Sequence, residues 1–112
     1  MVQYSNATLD EVFSALSDVK RRGVVEYLGH QEASISDLAD QFEMTLTGMR
    51  KHVAVLERAG LVVSRKVGRV RSCHLGAQRL EEVATWVEQY RRLWEARFSA
   101  LDEIVDELQQ KE

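Results

Sequence analysis

At 112 residues, 45% of them hydrophobic, the chain has room for one domain with a small core, and a core that small gains from oligomerisation. No apolar run approaches the roughly 18 residues of a membrane span, and the opening MVQYSNATLDE lacks the basic start and apolar stretch of a signal peptide, so a soluble, cytoplasmic protein is expected. The single cysteine, Cys73, excludes an intrachain disulfide framework, and a net charge of −3 taken whole argues against a nucleic-acid partner.

Thr8 followed by Glu11 is a capping-box pattern that opens a helix over about 9–16. Leu9, Val12, Phe13 and Leu16 then recur at i, i+3, i+4, i+7. Ser17 reads as the cap of a second helix over about 18–29, with Val24, Val25 and Leu28 as its buried stripe and Gly29 as its stop. Ser34 and Ser36 introduce a short third helix over about 36–42, which buries Leu38, Ala39 and Phe42. After a break at Glu43-Met44, Thr45 caps a fourth helix over about 46–59. Met49, Val53 and Leu56 share one face of it, and Gly60 ends it. Two short helices joined by a three-residue turn, the second the more basic, have the form of a helix-turn-helix.

The next stretch, LVVSRKVGRVRSCHL at 61–75, is rich in β-branched residues and broken by Gly68-Arg69, which suits a hairpin with a tight two-residue turn. That pairing sets Lys66 opposite Arg71, and a one-residue slip sets Arg65 there instead. Like charges across a hairpin repel in either register, which fits a tip that meets a polyanion. The charge distribution agrees. Residues 45–74 hold seven cations, Arg50, Lys51, Arg58, Arg65, Lys66, Arg69 and Arg71, against Glu57 alone, a net +6; taken from the overall −3, this leaves −9 for the remainder. An anion-binding face on an acidic body is the reading.

The last segment, about 78–110, reads as one long helix. Leu80, Val87, Trp94, Leu101 and Leu108 repeat every seven residues, and Val83, Tyr90 and Ile104 hold the partner position, which Arg97 interrupts. Ala84, Phe98 and Val105 widen the stripe. Such a repeat is a seam for another helix, and a second copy of the chain is the natural occupant. The expected dimer interface is Leu9, Val12, Phe13, Val87, Tyr90, Trp94, Phe98, Leu101, Ile104 and Val105.

This order of elements resembles the ArsR/SmtB family of winged-helix repressors. The likeness rests on LSDVKRRGVVEYLG at 16–29, on SISDLADQFEMTLTGMRKHVAVLERAGLV at 34–62, and on WVEQYRRLWEARFSALDEIV at 86–105, which looks like the terminal helix of a subgroup that does not sense metals. The chain departs from the family pattern at Leu46, usually polar, and at Arg50, usually serine. The resemblance implies a mainly α fold with a small β-hairpin wing: a DNA-binding core over 9–77, then a C-terminal dimerisation helix over 78–110. It also implies a dimeric repressor, of its own promoter, bound to double-stranded DNA at an inverted-repeat operator. Residues 34–42 lack cysteine and 78–112 lack histidine and cysteine, so no metal site and no cofactor is expected. An inducer is left open.

Thr45, Leu46, Thr47, Arg50 and Lys51 fall at the start of the fourth helix, off its apolar face, where helix-turn-helix proteins read base edges. Arg50 is assigned to a base and Lys51 to a phosphate, while Leu46 is left open between a thymine-methyl contact and a plain exposed apolar residue. Arg65, Lys66, Arg69 and Arg71 form the wing and meet phosphates, with Arg69 the candidate for the minor groove. His52, beside Val53, reads as a hydrogen-bonded structural residue, and Cys73 as a buried thiol. There is no phosphate-cradling loop or nucleophile elbow, so no enzyme is expected. Two rivals are weighed. A protein-interaction adaptor on the same fold does not need Arg50, Lys51 and the wing cations together. An RNA-binding winged domain more often carries stacking aromatics, and none occurs between Ala54 and Gly76.

Overall fold

The computed structural model describes residues 6–110, which divide into two compact units, one ending at Leu80 and the other starting at Glu81. The first unit opens with three helices, α1 (Asn6–Ala15), α2 (Val19–Leu28) and α3 (Ile35–Gln41), the last preceded by a two-residue strand β1 (Ala33–Ser34). Helix α4 (Leu46–Arg58) follows, then the hairpin β2 (Val62–Val67) and β3 (Val70–Leu75). Helix α5 (Ala77–Gln110) starts in the first unit and makes up the described part of the second.

Helix starts are set by side chains that accept the free amide groups of the first turn. Asp18, not Ser17, caps α2: it accepts from the Lys20 and Arg21 amides at 2.9 and 3.1 Å. A carboxylate matches that N-terminus better than a hydroxyl does, because it also meets the helix dipole. The Arg21 amide holds the Asp18 carboxyl below the usual carboxylate range. Ser34 caps α3 through a reciprocal box with Asp37, one residue earlier than the sequence suggests. Helix α1 already runs from Asn6, so Thr8 lies inside it and the Thr8/Glu11 pair is not its opening box. Glu43 turns the chain between α3 and α4 with a left-handed backbone (φ 54°).

The core of the first unit takes residues from every element up to β3. Val12 and Ala15 of α1, Val24 and Leu28 of α2 and Leu38 of α3 are buried in it, and Met49, Val53 and Leu56 supply the α4 face predicted for it. Leu61, Val62 and Cys73 close it from the hairpin side. Val12, expected at a dimer interface, has 0% of its surface exposed within its own chain and leaves that interface. Leu9 is half-buried, while Phe13 is exposed.

The sheet is antiparallel in the order β1-β3-β2. Strand β1 is absent from the sequence reading; two residues are too few to show an alternating pattern. It pairs Ala33 with Cys73 and anchors β3 from its other edge. The hairpin turns on Gly68 (φ 64°) and Arg69, with Val67 opposite Val70 and Lys66 opposite Arg71. At the base of the hairpin, Gly60 (φ 76°) leaves α4, and the Gly76 amide donates to the Leu61 carbonyl at 2.8 Å. A Cβ at Gly76 would collide with the Gly60 carbonyl, which is backbone and cannot turn aside. Gly76→Ala is therefore expected to destabilise the fold by about 1–3 kcal/mol, as overpacking does. A thermal melt matching the parent chain would refute that close approach.

In the second unit, α5 buries no side chain. Val87, Tyr90, Leu93, Trp94, Phe98, Leu101, Ile104, Val105 and Leu108 are each 45–64% exposed. Trp86, Tyr90, Trp94 and Phe98 meet in turn at i, i+4 spacing, with ring centroids 5.5, 6.2 and 6.0 Å apart, the first pair stacked and the other two edge to face.

Candidate nucleic-acid interface

The exposed side of α4 and the tip of the hairpin border one groove of about 710 Å³. Leu46, Arg50, Val53, Ala54 and Glu57 line it from α4; Arg69, Val70 and Arg71 from the hairpin; Ser34, Ile35 and Ser36 from the start of α3. A neighbouring hollow joins Lys66 to Arg69 and Arg71 above Ser64. Four of the nine residues assigned from sequence thus line one groove, Leu46, Arg50, Arg69 and Arg71, and Lys66 lines the hollow beside it. Thr47 and Lys51 are exposed on α4 but do not line the groove. Thr45 is exposed too, and its hydroxyl oxygen accepts from the Gly48 amide at 3.0 Å as the helix cap. Its O–H remains free to donate. Arg65 departs from the other wing cations. Side chains alternate along a strand, so Lys66 shares its face with Ser64, and Arg65 stands on the opposite face with Val63.

Behind the groove, α4 is fixed to the first two helices by Arg21. Its guanidinium donates to the Ala15 carbonyl (2.6 Å) and the Ser14 carbonyl (3.2 Å), satisfying orphan groups at the end of α1. It also reaches His52 Nδ1 at 3.3 Å. His52 is the structural residue expected of it, accepting from an always-charged donor.

Cys73 lies with 0% exposure on β3, 3.9 Å from the Ser64 hydroxyl. Burial raises its thiol pKa, so it stays protonated near neutrality. Native protein is expected to resist alkylation by iodoacetamide, whereas denaturant-unfolded protein reacts at the rate of a free thiol; fast labelling of the native chain would contradict the buried placement. His74, next in sequence, turns the other way and pairs with Glu32 at 3.3 Å. Among the described residues no three His, Cys, Asp or Glu side chains gather as metal ligands, and no helix is long and apolar enough to cross a membrane.

A helix-turn-helix whose second helix shares a basic groove with a β-hairpin defines a winged helix-turn-helix protein. A family described as a helix-turn-helix domain matches residues 16–65. Over 91 residues the chain is 30% identical to the uncharacterized HTH-type transcriptional regulator YuzN of Bacillus subtilis, covering 74% of this chain and 99% of that one. It superposes on an ArsR-like transcriptional regulator from Rhodococcus sp. RHA1 with a TM-score of 0.77 at 34% identity, covering 88% of this chain and 92% of that one. The crystal structure of another ArsR family transcriptional regulator gives a TM-score of 0.75 at 37% identity, over 85% and 97% of the two chains. The chain belongs to the ArsR family of winged helix-turn-helix transcriptional regulators.

Sequence reasoning overlooked two residues here, Glu57 and Ser64. The Ser64 hydroxyl donates to Glu57 Oε1 at 2.6 Å, joining α4 to β2. One signal was available: Glu57 is the single acid among the seven cations of residues 45–74.

Proposed function

We propose that the chain acts as a two-fold dimer that represses transcription by holding an inverted-repeat operator, with α4 in the major groove and the hairpin on the flanking backbone. One observation carries this reading: Arg50 on α4 and Arg69 and Arg71 on the hairpin border the same groove. An α-helix fits the major groove of B-DNA, and arginine is suited to guanine O6 and N7. The wing cations meet phosphates, which fix register without reading sequence. The exposed apolar stripe of α5 is the dimer seam, and Phe13 on α1 is a candidate to extend it. A two-fold dimer sets its α4 helices about 34 Å apart, one turn of duplex.

The test is selection of bound duplexes from a random pool, followed by titration of the parent and of Arg50→Ala. An enriched palindrome is expected. Arg50→Ala is expected to lose roughly 1–3 kcal/mol on it and to relax preference at one position per half-site. No enrichment would sink the reading, and equal losses on operator and scrambled duplex would reduce Arg50 to a phosphate contact.

A further inference from the structure

We propose that Glu57 and Ser64 form a strut that sets the angle of the wing on α4, making them specificity-determining residues that do not touch DNA; this rests on the DNA-binding reading above.

The strut stands where the two contacting elements meet. On α4, residues 46, 50, 54 and 57 follow the i, i+4, i+8, i+11 spacing of one helix face, and Leu46, Arg50, Ala54 and Glu57 all line the groove. The row that carries Arg50 therefore ends, two turns or about 10 Å further on, at the Glu57 carboxylate. On the hairpin, Ser64 faces Cys73 across the ladder, and the next pair on that strand face is Lys66 with Arg71. Those cations stand about 7 Å beyond the strut. A single bond of 2.6 Å thus joins the row that reads to the pair that grips. The contact is half-buried and charge-assisted, a class stronger than neutral hydrogen bonds.

Strand β1 anchors β3 as far as Ser72, on the edge away from β2, and does not reach the tip beyond it. Beyond Ser64 every β2 residue is exposed, and the first two residues of β3, Val70 and Arg71, are exposed as well. The buried residues of the hairpin strands are Val62, at the base, and Cys73, level with Ser64. Among the described residues the strut is the one hydrogen bond found between α4 and the hairpin strands. A carboxylate in a phosphate-binding groove also repels the ligand. It is tolerable where its position serves another purpose, and here one of its oxygens is engaged by Ser64.

Serine variants isolate the geometry, because they leave the charge of the groove unchanged. The experiment titrates the full-length chain on a duplex selected from a random pool and on a scrambled duplex, across several salt concentrations, with thermal melts and sedimentation alongside. Ser64→Ala is expected to bind the selected duplex about tenfold more weakly, with a shallower salt slope as wing contacts are lost. Its affinity for the scrambled duplex should change by less than about twofold, since non-specific binding needs charge and not register. Ser64→Thr, which keeps the hydroxyl, should restore discrimination, and Glu57→Gln, which keeps an acceptor, should retain it while binding both duplexes more tightly. Ser64→Ala matching the parent on both duplexes would overturn the strut. Equal losses on both would also overturn it, by showing a general structural role. A parent chain that fails to distinguish the two duplexes would instead remove the DNA-binding reading, and the strut with it.

Discussion

Replacing Trp94 or Leu101 with glutamate is expected to turn a species of about twice the 12.8 kDa chain mass into monomer, and to cost most of the operator affinity. Both side chains stand more than half exposed on α5, in a stripe of large apolar residues that a single chain leaves uncovered. Fully burying such a side chain contributes roughly 1.5–3 kcal/mol, and placing a carboxylate in the same seam reverses that and adds a desolvation cost. The loss on DNA exceeds the loss of contacts. With the two halves joined, the second half-site is bound at an effective concentration set by the dimer, and avidity of about 10²–10⁴-fold disappears when it dissociates. Sedimentation at micromolar concentration reads the mass, and titration on full and half operators reads the avidity. A variant that stays dimeric, or a parent that is already monomeric, would show that α5 is not the seam.

Neutralising Lys66, Arg69 and Arg71 together is expected to weaken binding to every duplex and to flatten its dependence on salt. Three phosphates per protomer make six per dimer, and each contributes about 0.9 to the slope of log K against log salt, so the slope should fall by about 5. Arg65→Ala should do less than any of the three, because its side chain leaves the hairpin on the other face. The comparison with Arg50→Ala separates gripping from reading: the wing variant loses affinity on selected and scrambled DNA alike, the α4 variant chiefly on the selected one. An unchanged slope would mean that the wing cations are an ordinary solvated surface.

Much of this arrangement was legible in the sequence because it obeys short-range rules. Met49, Val53 and Leu56 could only be one face of a helix, and all three are buried. Gly68-Arg69 marked the turn, and of the two registers weighed the hairpin adopts the one with Lys66 opposite Arg71. Helix caps were harder, since Ser17 and Asp18 are adjacent and both able; the carboxylate took the place by reaching two amides. What stayed hidden depends on contacts distant in sequence. Strand β1 exists because β3 offers it an edge, and Arg21 holds α4 from a position 31 residues before His52. Val12 shows the same limit. Its spacing marks an apolar face, but not whether that face meets its own core or a second chain.

The aromatic ladder of α5 gives the protein a built-in optical reporter. Both tryptophans of the chain, Trp86 and Trp94, lie on that helix, and none lies in α1 to α4 or the hairpin. Indole emission will therefore follow the environment of α5, while α1 to α4 and the hairpin contribute no indole signal. Diluting the protein through its association constant should shift the emission to the red as Trp94 becomes hydrated. Adding duplex at fixed protein should leave the colour unchanged unless DNA itself drives the chains together.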